Sequence, residues 1–206
     1  MITIGLLGGV ASGKSLVAQQ FASFGAAILN ADQVGHEVLC LPKIQAVLRD
    51  RWGNSVFDSH GHVDRRAVAR IVFGPPPQGP MELTFLEKLT HPTIGERILE
   101  RCEIQRRHHR PAVILDAPVM LKAGWDRSCT KIVFVHADRQ SRLERAKRRG
   151  WDEPQFDARE KSQESLEEKR RRADRLIDNS GTPANTYAQV KNFWESLNLP
   201  NSGLFS

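Results

Sequence analysis

An apolar run that ends in paired glycines and leads straight to a Lys-Ser pair dictates how this chain must begin to fold. Residues 1–7, Met-Ile-Thr-Ile-Gly-Leu-Leu, are rich in branched side chains and read as a short buried strand. Gly8-Gly9-Val10-Ala11-Ser12-Gly13-Lys14-Ser15 follows, a complete G-x-x-x-x-G-K-[ST] phosphate loop. Glycines let such a loop turn tightly and bring successive N–H groups onto phosphate oxygens. The next helix adds its unpaired N–H groups and positive dipole end. Lys14 is placed to reach β- and γ-phosphates, and the Ser15 hydroxyl to ligate Mg²⁺. Val17, Phe21 and Phe24, at i, i+4 and i+7, supply the apolar stripe of that helix. With a strand before and a helix after, an accidental glycine-rich turn is a poor explanation. Nucleotide contacts are expected along Gly8, Gly9, Ala11, Ser12, Gly13, Lys14, Ser15 and Leu16.

The rest of the chain continues the alternation. Residues 25–32, Gly-Ala-Ala-Ile-Leu-Asn-Ala-Asp, read as a second strand with polar residues at its carboxyl end, where parallel sheets line their ligand crevice. Asp32 then falls beside the loop; the alternative is a cap for the following helix. Residues 33–109 read as a mostly helical insertion, with helices around Ile44, Val47 and Leu48 and around Val68, Ile71 and Val72. Gly74-Pro75-Pro76-Pro77-Gln78-Gly79-Pro80 is expected to be an exposed loop. Thr90-His91-Pro92 is expected to open a long helix, with Ile94, Ile98 and Cys102 on one face. His91 is either its cap or a donor to a phosphate.

Ala112-Val113-Ile114-Leu115-Asp116 is a third strand ending in an acid, the pattern of a Walker B carboxylate that holds Mg²⁺ directly or through water. Residues 131–136 and 176–179 supply two more strands. Asp138 caps a helix over 139–149, and Thr182-Pro183 starts a last one with Tyr187, Val190, Trp194 and Leu197 on its buried face. Five strands separated by helices give a parallel sheet covered on both sides. Residues 198–206 read as a frayed tail.

Composition narrows the partners. At 206 residues, with 40% hydrophobic and 26% charged content, the chain is ordinary for a soluble globular protein with one sizeable core. No apolar run approaches the roughly 20 residues of a membrane span, and the N-terminal run has no basic flank like that of a signal peptide. Cys40, Cys102 and Cys129 are scattered without metal-ligand spacing, so a cytoplasmic location is expected. A net charge of +6 and a pI of ≈ 9.5 favour anionic partners. From residue 139 to 175 the chain carries 13 Lys and Arg against 9 Asp and Glu. That concentration suits a clamp over phosphates better than a nucleic-acid surface, which would bring aromatic stacking platforms. Residues 145–172 lack strand character. Arg159 and Gln163, spaced i, i+4, are expected to share a helix face in a mobile lid; an exposed salt-bridged hairpin is the plain alternative.

Taken in order, the motifs resemble the dephospho-coenzyme A kinase family over almost the whole chain. The pieces are the G-G-x-x-S-G-K-S loop, Ala31-Asp32, Gly61 to Arg65, Ile71-Val72-Phe73, His91-Pro92 and Asp116-x-Pro118. They continue through Ala123-Gly124-x-Asp126, Arg145, Arg149, Arg159 with Gln163, and Ala173-Asp174 leading into Ile177-Asp178-Asn179-Ser180-Gly181. The resemblance implies a three-layer α/β/α P-loop fold with a five-stranded parallel sheet. Its core would span 1–32, 110–144 and 172–206, its helical acceptor domain 33–109, and its lid 145–171. It implies transfer of the ATP γ-phosphoryl group to the 3′-hydroxyl of dephospho-coenzyme A, with Mg²⁺. Asp32 would be the general base, since a ribose hydroxyl must lose its proton. By the same resemblance Lys14, Arg145 and Arg149 meet ATP phosphates, Asn179 the adenine edge, His91 and Arg159 the acceptor, and Ser15 and Asp116 the metal. The expected partners are these two small molecules, with no nucleic acid or membrane, and a monomer or weak homo-oligomer.

Three positions depart from the family. Leu16 stands where Thr is usual, Asn30 replaces the first acid of D-A-D, and Lys122 stands where a glutamate is expected. The competing readings are another small-molecule kinase, acting on a nucleoside or its monophosphate, and a nucleotide-dependent switch or nucleic-acid-binding ATPase.

Overall fold

A computed structural model describes residues 1–199. Strand β1 (Ile2–Gly8) runs into the glycine loop, and helix α1 (Lys14–Ala22) leaves it. Strand β2 (Ala27–Asn30) follows, then four helices: α2 (Ala31–Val38), α3 (Pro42–Trp52), α4 (Arg65–Val72) and α5 (Gln78–Arg107). The chain then alternates through β3 (Ala112–Asp116), β4 (Lys131–His136), α6 (Arg139–Arg148), α7 (Glu153–Lys161), α8 (Leu166–Arg171), β5 (Arg175–Asp178) and α9 (Pro183–Ser196). The strands pair in parallel in the order β2-β3-β1-β4-β5. The chain therefore builds to one side of β1 and then crosses to the other, which opens a crevice at the carboxyl ends of the central strands.

Two compact units result: Met1–Asn30 together with the chain from Glu100 onward, and Ala31–Leu99. In the sheet unit, alternate residues of β1 decide the layers. Ile4 and Leu6 face Val17 and Phe21 of α1 and Val190 and Phe193 of α9, all of them buried. Gly5 faces the opposite side, close against Met120 and Cys129. A second cluster joins Val10 and Ala11 of the loop to Leu143 and Ala146 of α6 and Phe156 of α7. Burial of this kind is worth ~2 kcal/mol for each large side chain.

The helical unit, Ala31–Leu99, packs Val56, Ala67, Val68 and Val72 against Trp52, Leu83 and Leu86. Asp64 caps α4 by accepting from the Arg66 and Ala67 N–H groups. Glu82 is a buried acid at its centre. Its carboxylate accepts from Arg51 at 2.7 and 3.1 Å, from the Trp52 indole at 2.8 Å and from Gln78 at 3.3 Å. The Arg51 hydrogen bond and then the Trp52 bond hold this carboxyl below the ordinary glutamate value of 4.5. A depressed value stabilises the fold above about pH 4.5 and loses that contribution as pH falls. Glu82→Ala leaves the indole N–H without its acceptor and is expected to cost about 2 kcal/mol at neutral pH, read as a lowered urea midpoint. The deficit should shrink below pH 4; an equal deficit at both pH values would contradict the electrostatic account.

Several expectations are corrected. Gln78-Gly79-Pro80 is not loop: α5 starts at Gln78, because proline is tolerated in a first turn where its missing N–H would be unpaired anyway. Thr90-His91-Pro92 does not open a helix either. Pro92 lies inside the 30-residue α5, and Thr90 Oγ1 donates to the Leu86 carbonyl one turn back rather than capping. Arg159 and Gln163 do not share a helix, since α7 ends at Lys161. Tyr187 is 40% exposed and lies over Phe24 at 5.4 Å; Val190 is buried as expected, Trp194 and Leu197 are partly buried against the core, and Thr186 and Phe193 complete the buried face of α9. Of the expected tail, Leu199 packs on the core, and residues 200–206 lie outside the described residues.

Candidate nucleotide site

The loop between β1 and α1 is held open by its own backbone. Gly13 sits at φ +94° and Ala11 at φ +56°, both left-handed, and the Ser12 N–H donates to the Gly9 carbonyl at 3.2 Å. A left-handed alanine is unfavourable by ~1 kcal/mol, the sort of strain that collects at ligand clamps. Lys14 and Ser15 are the first two residues of α1, where the unpaired N–H groups of a helix start favour an anion. Ser15 is exposed, as is Leu16, at 37%.

Residues far along the chain fix this shape. Arg145, near the end of α6, donates to the Ser12 carbonyl at 3.0 Å and to the Asn179 carbonyl at 2.6 Å. Asn179 follows β5 directly. Its Nδ2 donates to the same Ser12 carbonyl at 2.8 Å, and its Oδ1 accepts from Thr186 at 2.8 Å. With 2% exposure and both ends of its amide engaged, the Asn179 side chain braces the loop. A Cβ on Gly13 would collide with the Asn179 amide. Gly13→Ala therefore combines a steric clash with left-handed strain of ~1 kcal/mol. We expect at least about a tenfold loss of ATP affinity by titration, with the fold retained by circular dichroism. Wild-type affinity would show that the brace is dispensable.

On the other side of the loop, Arg142 is buried at 4% exposure, donates to the Ala137 carbonyl at 3.1 Å and pairs with Glu160 of α7. A Cβ on Gly9 would stand 2.7 Å from the Arg142 guanidinium and 3.0 Å from Leu166 of α8. A side chain at position 9 would have to displace the Arg142 guanidinium, and the α7–α8 hairpin rests directly on the phosphate loop. Neither Arg142 nor Thr186 was legible as a loop support, since one lies in a run of surface-like charges and the other beside a helix cap.

Asp116 closes β3 in register with Leu6 of β1 and Asn30 of β2, at the carboxyl ends where the loop emerges. Its Oδ1 is buried and accepts no hydrogen bond, although the residue has other interactions. Among the described residues no three His, Cys, Asp or Glu gather as a metal cluster. Mg²⁺ suits such a place, because it takes oxygen ligands, retains waters and needs only one or two carboxylates beside substrate phosphates.

The other expected site residues are spread more widely. Arg149 is the exposed C-cap of α6, and Arg159 is exposed on α7 with its guanidinium 4.3 Å from the Trp151 ring centre. Asp32 and His91 belong to the helical unit. Asp32 is exposed in the first turn of α2, and His91 is half-buried in the middle of α5 rather than at a helix start.

A parallel sheet of this order, with a braced G-x-x-x-x-G-K-S loop at the end of its central strand, defines a nucleotide-binding protein of the phosphate-loop class. The family profile described as dephospho-CoA kinase matches residues 2–185. The dephospho-CoA kinase of Symbiobacterium thermophilum is 38% identical over 199 residues, covering 95% of this chain and 81% of the relative. That of Aquifex aeolicus is 35% identical, covering 96% and 98%. The crystal structure of TT1252 from Thermus thermophilus superposes with a TM-score of 0.81 at 30% identity, covering 96% and 97%. The chain belongs to the dephospho-CoA kinase family.

Proposed function

We infer that this chain transfers the γ-phosphoryl group of ATP to the 3′-hydroxyl of the dephospho-CoA ribose, the final step of coenzyme A synthesis. The observation that carries the reading is the family match, which spans the braced loop and the whole helical unit. Lys14, the N–H groups of the loop, and the arginines Arg145 and Arg149 stabilise charge that moves from the γ- to the β-phosphate oxygens. Ser15 and Asp116 would hold Mg²⁺, which would neutralise part of that charge when bound. Asp32 takes the proton of the 3′-hydroxyl as the new O–P bond forms and the bond to the β-phosphate breaks, leaving ADP. His91 and Arg159 serve the acceptor, with Ala31–Leu99 as its binding domain and residues 145–171 as a lid that excludes water.

ADP release in a coupled assay with ATP plus dephospho-CoA, AMP, CMP or uridine tests the assignment. Turnover is expected with dephospho-CoA alone. Comparable kcat/KM with AMP or uridine would replace the acceptor while keeping the nucleotide site.

A further inference from the structure

The stretch from Gly61 to Arg65, which leads into α4, lies wholly in the helical unit. Its backbone is firmly placed. Phe57 and Val63 form an antiparallel bridge, the Asp64 N–H donates to the Val56 carbonyl at 2.9 Å, and the Asp64 carboxylate caps α4. Ala67 and Val68 are buried just beyond. Arg65 therefore starts a fixed helix while its own side chain stays exposed. One guanidinium nitrogen stands 2.6 Å from Nε2 and 2.9 Å from Nδ1 of His36 on α2. A guanidinium only donates, so the imidazole supplies the acceptor. Among the described residues Arg65 makes no ion pair with a carboxylate, whereas Arg51, Arg106 and Arg139 each pair with an acid. Its charge is held in position without being neutralised.

His36 lies four residues after Asp32 on α2, and both are exposed, while Ala31, Val34 and Val38 form the buried face of that helix. Positions i and i+4 are neighbours on a helix surface, about 6 Å apart. The His36–Arg65 contact thus sets a positive group one helical turn from the carboxylate that takes the ribose proton. The acceptor carries its negative charge with a similar offset, since its diphosphate leaves the 5′-carbon of the same sugar whose 3′-hydroxyl reacts. We propose that Arg65 binds this diphosphate and that His36 is the positioning residue that aims it, so that the acceptor is gripped by its charge while its hydroxyl meets Asp32. The proposal rests on the reading of dephospho-CoA as acceptor and of Asp32 as base. A planar fork of N–H donors suits phosphate oxygens, which a lysine meets only as a point charge. A nucleoside offers the same hydroxyl without this grip.

Steady-state kinetics of wild type, Arg65→Met, Arg65→Lys, His36→Ala and the His36→Ala/Arg65→Met double variant test this, each protein checked for folding by its thermal transition. Arg65→Met is expected to raise KM for dephospho-CoA by about 30-fold, the loss of a charge-assisted contact to phosphate. Its kcat and its KM for ATP should stay within about twofold of wild type, because neither the base nor the nucleotide loop is touched. Arg65→Lys keeps the charge and loses the fork, so about a fivefold rise is expected. His36→Ala should also raise KM for dephospho-CoA about fivefold, but less than twofold when Arg65 is already methionine, because it acts only through that side chain. Should Arg65→Met not fold, Arg65→Gln takes its place under the same criteria. A KM for dephospho-CoA that ignores Arg65, or one that rises in step with KM for ATP, overturns the proposal. A His36→Ala effect of equal size in both backgrounds overturns the positioning role. Wild type that leaves dephospho-CoA unphosphorylated would instead sink the acceptor assignment on which the proposal rests.

Discussion

Lys14→Ala protein is expected to fold normally and to lose about 10²–10³-fold in kcat with dephospho-CoA, the usual consequence of removing one preorganised donor from a developing anion. Lys14 is half-buried in the first turn of α1, away from the large apolar cluster that stabilises the sheet. Deleting its ammonium therefore touches the phosphate site and leaves the core alone. The Arg145 and Asn179 braces act on the Ser12 carbonyl and remain in place. Loss of turnover should accordingly appear with an unchanged thermal transition. Near-wild-type turnover in the folded variant would contradict the assignment of this loop as the ATP site.

Asp32→Asn should separate chemistry from nucleotide binding. General-base catalysis typically contributes 10²–10⁴-fold, so kcat is expected to fall by about 10³-fold while the dissociation constant for ATP stays unchanged. Asp32 is exposed in the first turn of α2, where the helix dipole favours a carboxylate. Asparagine preserves the shape and hydrogen-bonding reach of the side chain, and removes only its capacity to accept a proton from the ribose. Turnover near wild type, with ATP bound normally, would assign Asp32 to the cap role that the sequence also allows.

How much of this was legible in advance follows from the range of the forces involved. β1, the loop and α1 could be read because strand period, glycine spacing and helix stripe all lie within about two dozen residues. Asp138 and Thr182 could be read as caps for the same reason, and each accepts the backbone N–H expected of it. The continuity of α5 through Pro92 could not. A proline removes one backbone hydrogen bond and argues locally for a boundary, but burial of Ile94 and Ile98 beyond it favours carrying the helix on. The role of Asn179 was hidden by distance. Its partner, Ser12, lies 167 positions earlier, and nothing around residue 179 signals that the amide points inward. Arg142 and Lys169 look like members of a solvated charge run, and only the packing of the hairpin on Gly9 separates them from their exposed neighbours.

The motif that identifies the nucleotide site occupies the first fifteen residues, but its curvature is imposed by an arginine and an asparagine from the last third of the chain. During synthesis the signature emerges long before anything can clamp it. A nascent chain that has not yet delivered Asn179 carries every residue of the motif and still lacks a rigid cradle. ATP recognition should therefore switch on late and abruptly, when β5 docks, and an amino-terminal fragment bearing the full signature should bind the nucleotide poorly.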